Sequence, residues 1–233
     1  MHTHSFHHIN HIGDFIFSQL ESEISNHGSL SIALSGGNTP NALFKYWATN
    51  YAKRTDIWYN IYYYWVDERA VSPYDAESNY GTAVSLFFSP LSIPNNHIYR
   101  MKGEEKPNLE AKRYENLLQK QLPDVNSVPQ LDFIFLGLGD DGHTASIFPG
   151  QEHILCTTSE LCKESENPYT NQQRITLTSK TINNAKRIFF IILGSHKKRI
   201  LESVFFHTSN EKKYPAQCIE PKHTEIEIIT DIK

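Results

Sequence analysis

One histidine of the chain lies in a loop that has the composition of a catalytic site. The loop at 137–150 reads G-L-G-D-D-G-H-T-A-S-I-F-P-G and follows the apolar segment 131–136. That segment has the pattern of a buried strand in a parallel sheet, and such sheets bind ligands beyond the carboxyl ends of their strands. The imidazole of His143 suits proton transfer near neutral pH, and Asp141 is close enough in sequence to orient it. We predict that both residues are catalytic.

An exposed turn is the alternative interpretation of this loop. Glycine and aspartate are common in turns, and a histidine in such a turn is an ordinary surface residue. In isolation the two interpretations have equal weight. Further strand ends carry polar clusters of the same kind, and this convergence favours a functional site.

A second polar loop lies at 35–40, where S-G-G-N-T-P joins a predicted strand to a helix. Pro40 suits the first turn of that helix. Backbone amides beside glycines, a hydroxyl and the positive end of a helix together favour a phosphate dianion. Gly36, Gly37 and Thr39 are therefore predicted to bind substrate, although an ordinary tight turn has the same composition. The loop is neither a Walker motif nor a dinucleotide fingerprint, so neither ATP nor NAD is predicted.

Charged side chains follow two more predicted strands. The aromatic segment 61–66 ends in an Asp-Glu-Arg triplet, and the apolar segment 187–193 ends in G-S-H-K-K. The planar guanidinium of Arg69 suits phosphate or carboxylate, and Lys197 is long enough to reach a phosphate. A solvated loop would explain each cluster by itself. Because the clusters recur at strand ends, Asp67, Arg69 and Lys197 are predicted to bind substrate.

Strands and helices alternate along the chain, which predicts an α/β fold with a mostly parallel sheet. Segment 174–178 is predicted as a half-buried strand, and the polar segment 151–173 as a loop able to cover the site. Five histidines lie within 1–11. Imidazoles bind transition metals, but a flexible or helix-preceding tail is favoured because no cysteine or carboxylate completes a ligand set. We therefore predict a His-rich tail at 1–11 and a single domain at 12–233.

The composition excludes several classes of protein. The chain has 233 residues, of which 39% are apolar and 12% aromatic, as expected of a folded globule. Its 22 basic and 26 acidic residues give a net charge of −4, so neither nucleic acid nor a membrane surface is expected as partner. No membrane span or secretory signal is visible, and a cytoplasmic location is expected. Cys156, Cys162 and Cys218 form no C-x-x-C pair, which favours reduced thiols over a disulfide framework.

Seven motifs of the chain occur together in one known family. They are S-G-G-N-T-P at 35–40, W-V-D-E-R at 65–69, S-N-Y at 78–80, the glycine-rich sequence at 137–150, R-I-T-L-T at 174–178, I-N-N-A at 182–185 and G-S-H-K-K at 194–198. In this combination the chain resembles the 6-phosphogluconolactonase family over nearly its whole length. The resemblance implies a three-layer, Rossmann-like α/β/α fold. It also implies hydrolysis of 6-phospho-D-glucono-1,5-lactone to 6-phospho-D-gluconate, a step of the oxidative pentose phosphate pathway, with no cofactor and no obligatory metal.

For such a hydrolysis we expect His143 to take a proton from a water that attacks C1, while Asp141 orients the imidazole. Either nitrogen of the imidazole could act. Backbone amides at 139–142 or at 36–37 are candidates to stabilise the oxyanion. No G-x-S-x-G motif is present, so a covalent acyl-enzyme is not expected. The residues expected to hold the phosphate are Arg69, Lys197, Arg174 and Thr39.

Two other functions stay open at this point. The related glucosamine-6-phosphate deaminases carry Asp-Glu-Tyr where this chain has an Asp-Glu-Arg triplet at 67–69. They also carry Asn-Glu-Pro-Gly where it has Ile-Phe-Pro-Gly at 147–150, and ring opening with amine transfer requires that extra carboxylate. A non-catalytic sugar-phosphate sensor would need the cations but not His143 beside Asp141. The two differences from the deaminases, and the presence of His143 beside Asp141, favour a lactonase. We expect the protein to be a monomer or a weak homodimer.

Overall fold

The secondary structure alternates between strands and helices, as predicted. The computed structural model describes residues 1–206 and 214–232, and at 154–155 it describes the backbone alone. The segment 207–213 and residue 233, which belong to the predicted domain at 12–233, therefore lie outside the described residues. The described strands are β1 (His2–Ser5), β2 (Leu30–Leu34), β3 (Ile61–Trp65), β4 (Asp67–Arg69), β5 (Asp124–Val125), β6 (Val128–Pro129), β7 (Phe133–Leu136), β8 (Cys162–Glu166), β9 (Gln173–Leu177), β10 (Arg187–Ile192) and β11 (Ile226–Thr230).

Helices connect most of these strands. Gly28 ends the first helix with φ 81°, and its amide donates to the carbonyl of Ile24, which is a conformation that glycine adopts without strain. Pro40 lies in the first turn of the second helix, where its missing N–H costs no hydrogen bond. The described α-helices are α1 (Ile9–His27), α2 (Asn38–Asn50), α3 (Thr55–Trp58), α4 (Asn79–Ala83), α5 (Ser89–Leu91), α6 (Pro107–Gln121), α7 (Glu152–Leu155), α8 (Ser179–Ile182) and α9 (Lys198–Phe205).

A six-stranded parallel sheet forms the centre of the molecule, in the order β1-β11-β10-β7-β2-β3. All residues of β2 and β7 are buried, so both faces of the sheet are covered, as the near-continuous apolar sequences of these strands require. The predicted α/β class with a mostly parallel sheet is confirmed. Since β2, β7 and β10 are neighbours, the polar loops that follow them meet at one edge of the sheet.

A smaller antiparallel sheet, in the order β4-β9-β8, lies beside this edge. It begins where the aromatic strand β3 ends, because Asp67, Glu68 and Arg69 themselves form β4. Arg69 is directly opposite Arg174 in the β4–β9 register. Two guanidinium groups that are far apart in sequence are thereby placed side by side.

The segment 1–11 precedes and enters the helix α1, but the prediction that it is a tail separate from the domain is wrong. The strand β1 pairs in parallel with β11, at the edge of the central sheet. The ring of His4 lies 4.6 Å from that of Phe15, and its Nε2 lies 3.2 Å from Glu227. The sequence did not predict β1 as a strand, because an edge strand with polar side chains shows no apolar alternation. Within 1–206 and 214–232, no group of three or more His, Cys, Asp or Glu side chains is arranged to hold a metal ion.

Two further expectations are corrected by the structure. The segment 151–173 is not all loop, since it contains α7 and β8. Cys156 and Cys218 form a disulfide with a Cα–Cα distance of 5.7 Å, whereas Cys162 is buried and free. The expectation of reduced thiols was wrong for this pair because local spacing reports only cysteines that are close in sequence. Among the described residues, no helix is both long and apolar enough to cross a membrane.

Candidate active site

The polar loops enclose a cavity of about 540 Å³ at the carboxyl ends of the parallel strands. A volume of this size suits a small-molecule ligand. The cavity is lined from three directions, by the loops after β2 and β7, by the start of the segment after β10, and by β4 and β9 of the small sheet. The predicted site residues that line it are Gly36, Gly37, Thr39, Asp67, Arg69, His143, Arg174 and Lys197.

His143 and Asp141 form a hydrogen-bonded pair at one wall of the cavity. The imidazole Nδ1 lies 2.6 Å from Asp141 Oδ1, and the backbone N–H of His143 donates to the same oxygen at 3.1 Å. Within the described chain, Nε2 has no hydrogen-bond partner. This arrangement leaves Nε2 as the nitrogen available to a ligand. The sequence did not indicate which of the two nitrogens would be available.

The Asp141 carboxyl is held in its ionised form. Burial by itself would raise its pKa, but the His143 backbone N–H, the imidazole charge and the imidazole hydrogen bond together hold the pKa of Asp141 below its usual value. An ionised Asp141 accepts a hydrogen bond from the Nδ1–H group, so it fixes the tautomer in which Nε2 carries a lone pair. The ring of Phe148 packs against the other side of the imidazole at 4.7 Å between centroids.

The glycine-rich loop is shaped by its own hydrogen bonds. The amide of Gly139 donates to the carbonyl of His143 at 2.8 Å, and the amide of Gly142 donates to the carbonyl of Gly139 at 3.0 Å. Gly142 has φ +80°, and the ring of Tyr214 occupies the place where its side chain would project. Since these two amides are already bonded within the loop, they are not available to an oxyanion.

Gly139 tests whether the geometry of this pair controls activity. A Cβ at position 139 would lie 2.1 Å from His143 Nδ1 and 2.7 Å from Asp141 Oδ1. We expect Gly139→Ala to lower kcat by about 10²-fold, because a shift of about 1 Å in a catalytic group has an effect of that order. Gly137→Ala is the matched control in the same loop, since a Cβ at 137 meets nothing within 4 Å. Equal kcat values for the two variants would show that the pair tolerates displacement.

The part of the cavity formed by β4 and β9 carries two cations, Arg174, which is buried, and Arg69, which is half-buried. Arg174 is 9% exposed, and the Nε atoms of both Arg69 and Arg174 are buried with no hydrogen-bond partner in the described chain. Burial lowers the pKa of Arg174, the Asp67 carboxylate opposes this effect, and the Arg69 charge adds to it. Adjacent cations whose donors are buried and unused are costly in isolation, and an anion placed between them removes that cost. The pair has the properties of a phosphate site.

Glu68 holds the chain around these cations in place. Its buried carboxylate accepts hydrogen bonds from the amides of Arg69, Asn79 and Tyr80, each at 2.8 Å. Burial raises the pKa of Glu68 and these backbone donors oppose the rise. The side-chain amide of Asn79 donates to the backbone carbonyl of Asp67 at 3.0 Å, and the same side chain fills the space beside Gly36. The S-N-Y motif is therefore the link between β4 and the loop after β2.

The start of α2 presents a further anion-binding surface. No side chain caps this helix, and Gly37 precedes it with φ 106°. The first amides of a helix have no intrahelical partner, so those at 38–39 stay available to a ligand at the cavity. Ser35 fixes the loop by donating to the carbonyl of Phe135 at 2.7 Å.

Lys197 lies across the glycine-rich loop from these groups. Its Nζ donates to the carbonyl of Leu138 at 2.6 Å and lies 3.0 Å from Asp140 Oδ1. The Asp140 carboxylate therefore forms an ion pair with Lys197 and offsets part of its positive charge. The ammonium borders the cavity, but its position is set by the loop as well as by any ligand.

Several residues of this site were missed by the sequence analysis. Phe148 packs against His143, Asn167 lines the cavity and Tyr214 packs against Gly142. Ser146 donates to Asp67 Oδ2 at 2.6 Å. The glycine-rich motif contained Phe148 and Ser146 without indicating a role for either. For Tyr214 and Asn167 no local signal existed, because they reach the site only through the tertiary fold.

Known proteins share both the sequence and the fold of this chain. A family model described as glucosamine-6-phosphate isomerases/6-phosphogluconolactonase matches residues 5–228. The 6-phosphogluconolactonase of Haemophilus influenzae is 40% identical over 209 residues, covering 89% of this chain and 84% of that protein. The 6-phosphogluconolactonase of Treponema pallidum is 37% identical over 204 residues, covering 88% and 84% respectively.

A solved structure extends the likeness to three dimensions. The crystal structure of devB protein matches with a TM-score of 0.92 at 35% identity, over 98% of this chain and 95% of that one. The resemblance expected from the seven motifs is confirmed by these matches. The chain therefore belongs to the family of glucosamine-6-phosphate isomerases and 6-phosphogluconolactonases, and it is an enzyme of that family.

Proposed function

We propose that this enzyme hydrolyses 6-phospho-D-glucono-1,5-lactone to 6-phospho-D-gluconate by means of a water activated by His143. The observation that carries the proposal is one cavity lined both by His143, which is paired with Asp141, and by two arginines whose Nε atoms are buried without a partner in the described chain. The reaction requires a base at the lactone carbonyl and a cationic grip on the phosphate. The relatives that match most of the chain carry the name of this activity.

In the proposed mechanism His143 Nε2 takes a proton from the water as its oxygen bonds to C1. Asp141 accepts the Nδ1 proton in a hydrogen bond and stabilises the imidazolium that forms. The tetrahedral intermediate then collapses, the bond between C1 and the ring oxygen breaks, and the imidazolium returns its proton to that oxygen. The products are an opened chain and a carboxylic acid that ionises, so no covalent enzyme intermediate is required.

The groups that bind the substrate follow from the same geometry. Arg69 and Arg174 are proposed to hold the phosphate together with Lys197 and the hydroxyl of Thr39. Asp67, whose Oδ2 is bonded to Ser146, would present its other oxygen to a sugar hydroxyl. The oxyanion is proposed to bind the amides at 36–37, since the amides of Gly139 and Gly142 are engaged within their own loop.

A deaminase activity is the second candidate, and the structure gives a reason to rank it lower. The deaminase reaction requires a carboxylate in the segment that follows the histidine. In this chain the corresponding residues are Ile147 and Phe148, which are 0% and 2% exposed. Ile147 belongs to the hydrophobic core, and the apolar ring of Phe148 lines the cavity where a carboxylate would be needed.

A coupled assay tests the proposal. The lactone is generated in place by glucose-6-phosphate dehydrogenase, and 6-phosphogluconate is followed through its own dehydrogenase. We expect the protein to accelerate product formation above the spontaneous rate, with EDTA present or absent. Ammonia release from glucosamine 6-phosphate without lactone hydrolysis would favour a deaminase. Saturable phosphosugar binding without turnover would favour a sensor.

The variant Asp141→Asn tests whether Asp141 acts by fixing the tautomer and orientation of the His143 imidazole. An asparagine amide can donate to Nδ1, which favours the tautomer that carries the proton on Nε2 and removes the base. We expect kcat to fall by about 10²-fold or more with KM little changed. The His143 pair would be dispensable if Asp141→Asn retained the kcat of the unmodified enzyme.

A cytoplasmic location and a monomeric or weakly dimeric state are part of this proposal and stay predictions. Size-exclusion chromatography with light scattering over a range of protein concentrations measures the oligomeric state.

A further inference from the structure

The turn between β8 and β9 reaches the cavity that His143 lines. Asn167 at its start lines the cavity, and its side-chain oxygen accepts from the amide of Tyr169 at 2.9 Å and from the amide of Thr170 at 3.3 Å. Asn171 has φ 56° and closes the turn by donating to the carbonyl of Asn167 at 2.8 Å. This network fixes the backbone of Tyr169, whose side chain is 67% exposed.

The hydroxyl of Tyr169 interacts with the Asp141 carboxylate. This hydrogen-bonding contact raises the pKa of the Tyr169 hydroxyl and contributes to the lowered pKa of Asp141. His143 is a second titratable group that acts on Asp141, through its backbone N–H and its imidazole. The neighbouring Asp140 is turned to Lys197 at 3.0 Å and to His196 at 4.0 Å.

One oxygen of Asp141 lacks the partner that its burial calls for. Oδ1 receives both the imidazole and the backbone N–H of His143. Oδ2 is buried and accepts no well-formed hydrogen bond from the described part of the chain. A buried carboxylate oxygen without a donor is unfavourable, and a hydroxyl is the group that satisfies it with least rearrangement.

We propose that Tyr169 is a positioning residue, whose hydroxyl donates to the free oxygen of Asp141 and thereby fixes the orientation of His143. This inference rests on the proposed function, because it assigns Tyr169 a role only through the Asp141–His143 pair. The same turn reaches the side of the cavity proposed to bind phosphate. The side-chain amide of Gln172 donates to Glu77 Oε2 at 2.8 Å, and the backbone carbonyl of Glu77 accepts from the Arg69 guanidinium. The turn therefore connects the base with the anion site.

Tyr169→Phe removes the hydroxyl and keeps the ring. The sign of its effect follows from the loss of a donor to Asp141, which makes that carboxylate a stronger acceptor and a better partner for the imidazolium. We expect the acidic limb of the kcat/KM profile to move to higher pH by about half a unit, and kcat at neutral pH to fall by about 3- to 10-fold. KM is expected to stay within about 2-fold, because Tyr169 does not touch the substrate in this proposal.

Two comparisons keep this test specific. Tyr74→Phe alters another exposed tyrosine, 97% accessible and away from Asp141, and is expected to match the unmodified enzyme. In an Asp141→Asn background, Tyr169→Phe is expected to cause no further loss of kcat, because the two groups act through one contact.

The outcomes separate this inference from the proposed function. An unmodified enzyme without lactonase activity would overturn both. An active enzyme whose Tyr169→Phe variant keeps its kcat and pH profile would overturn the role of Tyr169 alone. A raised KM with an unmoved acidic limb would also overturn it, since that result describes a residue that contacts substrate.

Discussion

Replacing His143 by alanine is expected to lower kcat for lactone hydrolysis by about 10²–10⁴-fold, the range over which a positioned general base contributes. KM is expected to change little, because in the proposed mechanism the imidazole acts on the water and not on the phosphate or sugar. The Nδ1 contact with Asp141 at 2.6 Å leaves a single nitrogen to perform the step, so the loss cannot be shared with a second atom of the ring.

The control for this variant is His27→Ala, which removes an exposed imidazole at the end of α1. Thermal unfolding of both variants shows whether the fold is intact. Single-turnover kinetics with enzyme in excess over lactone, corrected for spontaneous hydrolysis, would measure the chemical step directly. A His143→Ala enzyme with near-normal kcat would refute the proposed base and leave the cavity with a binding role.

Removing the charge of Arg69 or Arg174 is expected to weaken substrate capture. A hydrogen bond to a charged group contributes about 1.5–3 kcal/mol, so KM for the lactone is expected to rise by roughly 10- to 100-fold in Arg69→Ala or Arg174→Met. The effect on kcat is expected to be smaller, because the phosphate is remote from C1. Arg199→Ala, at an exposed position of α9, is the matched control.

Stability gives a second readout for the same pair. The Arg174 cation is disfavoured by burial and by Arg69, so replacing it with methionine relieves repulsion in the unliganded enzyme. We therefore expect the Tm of Arg174→Met without ligand to equal or exceed that of the unmodified enzyme. Inorganic phosphate is expected to raise Tm of the unmodified enzyme more than that of the variant. A variant with lower Tm and unchanged KM would assign Arg174 to the fold and not to the ligand.

The sequence by itself determined the elements that build the site. The apolar segments of β2, β3, β7 and β10 were legible because a strand buried on both faces leaves a continuous local signal. Glycine-rich and charged sequences at their ends identified the loops, and the chemistry of imidazole, carboxylate and guanidinium suggested the roles. Class of fold and family both followed from these patterns, and the structure and the comparisons confirmed them.

The tertiary structure alone decided which groups meet. Nothing local shows that Arg69 lies opposite Arg174, since that contact exists only through the β4–β9 register. The same holds for the edge strand β1, the Cys156–Cys218 disulfide and the approach of Tyr169 to Asp141. Local patterns report the periodicity and turn chemistry of one segment. Contacts between distant segments are set by burial of the whole core, which no single segment encodes.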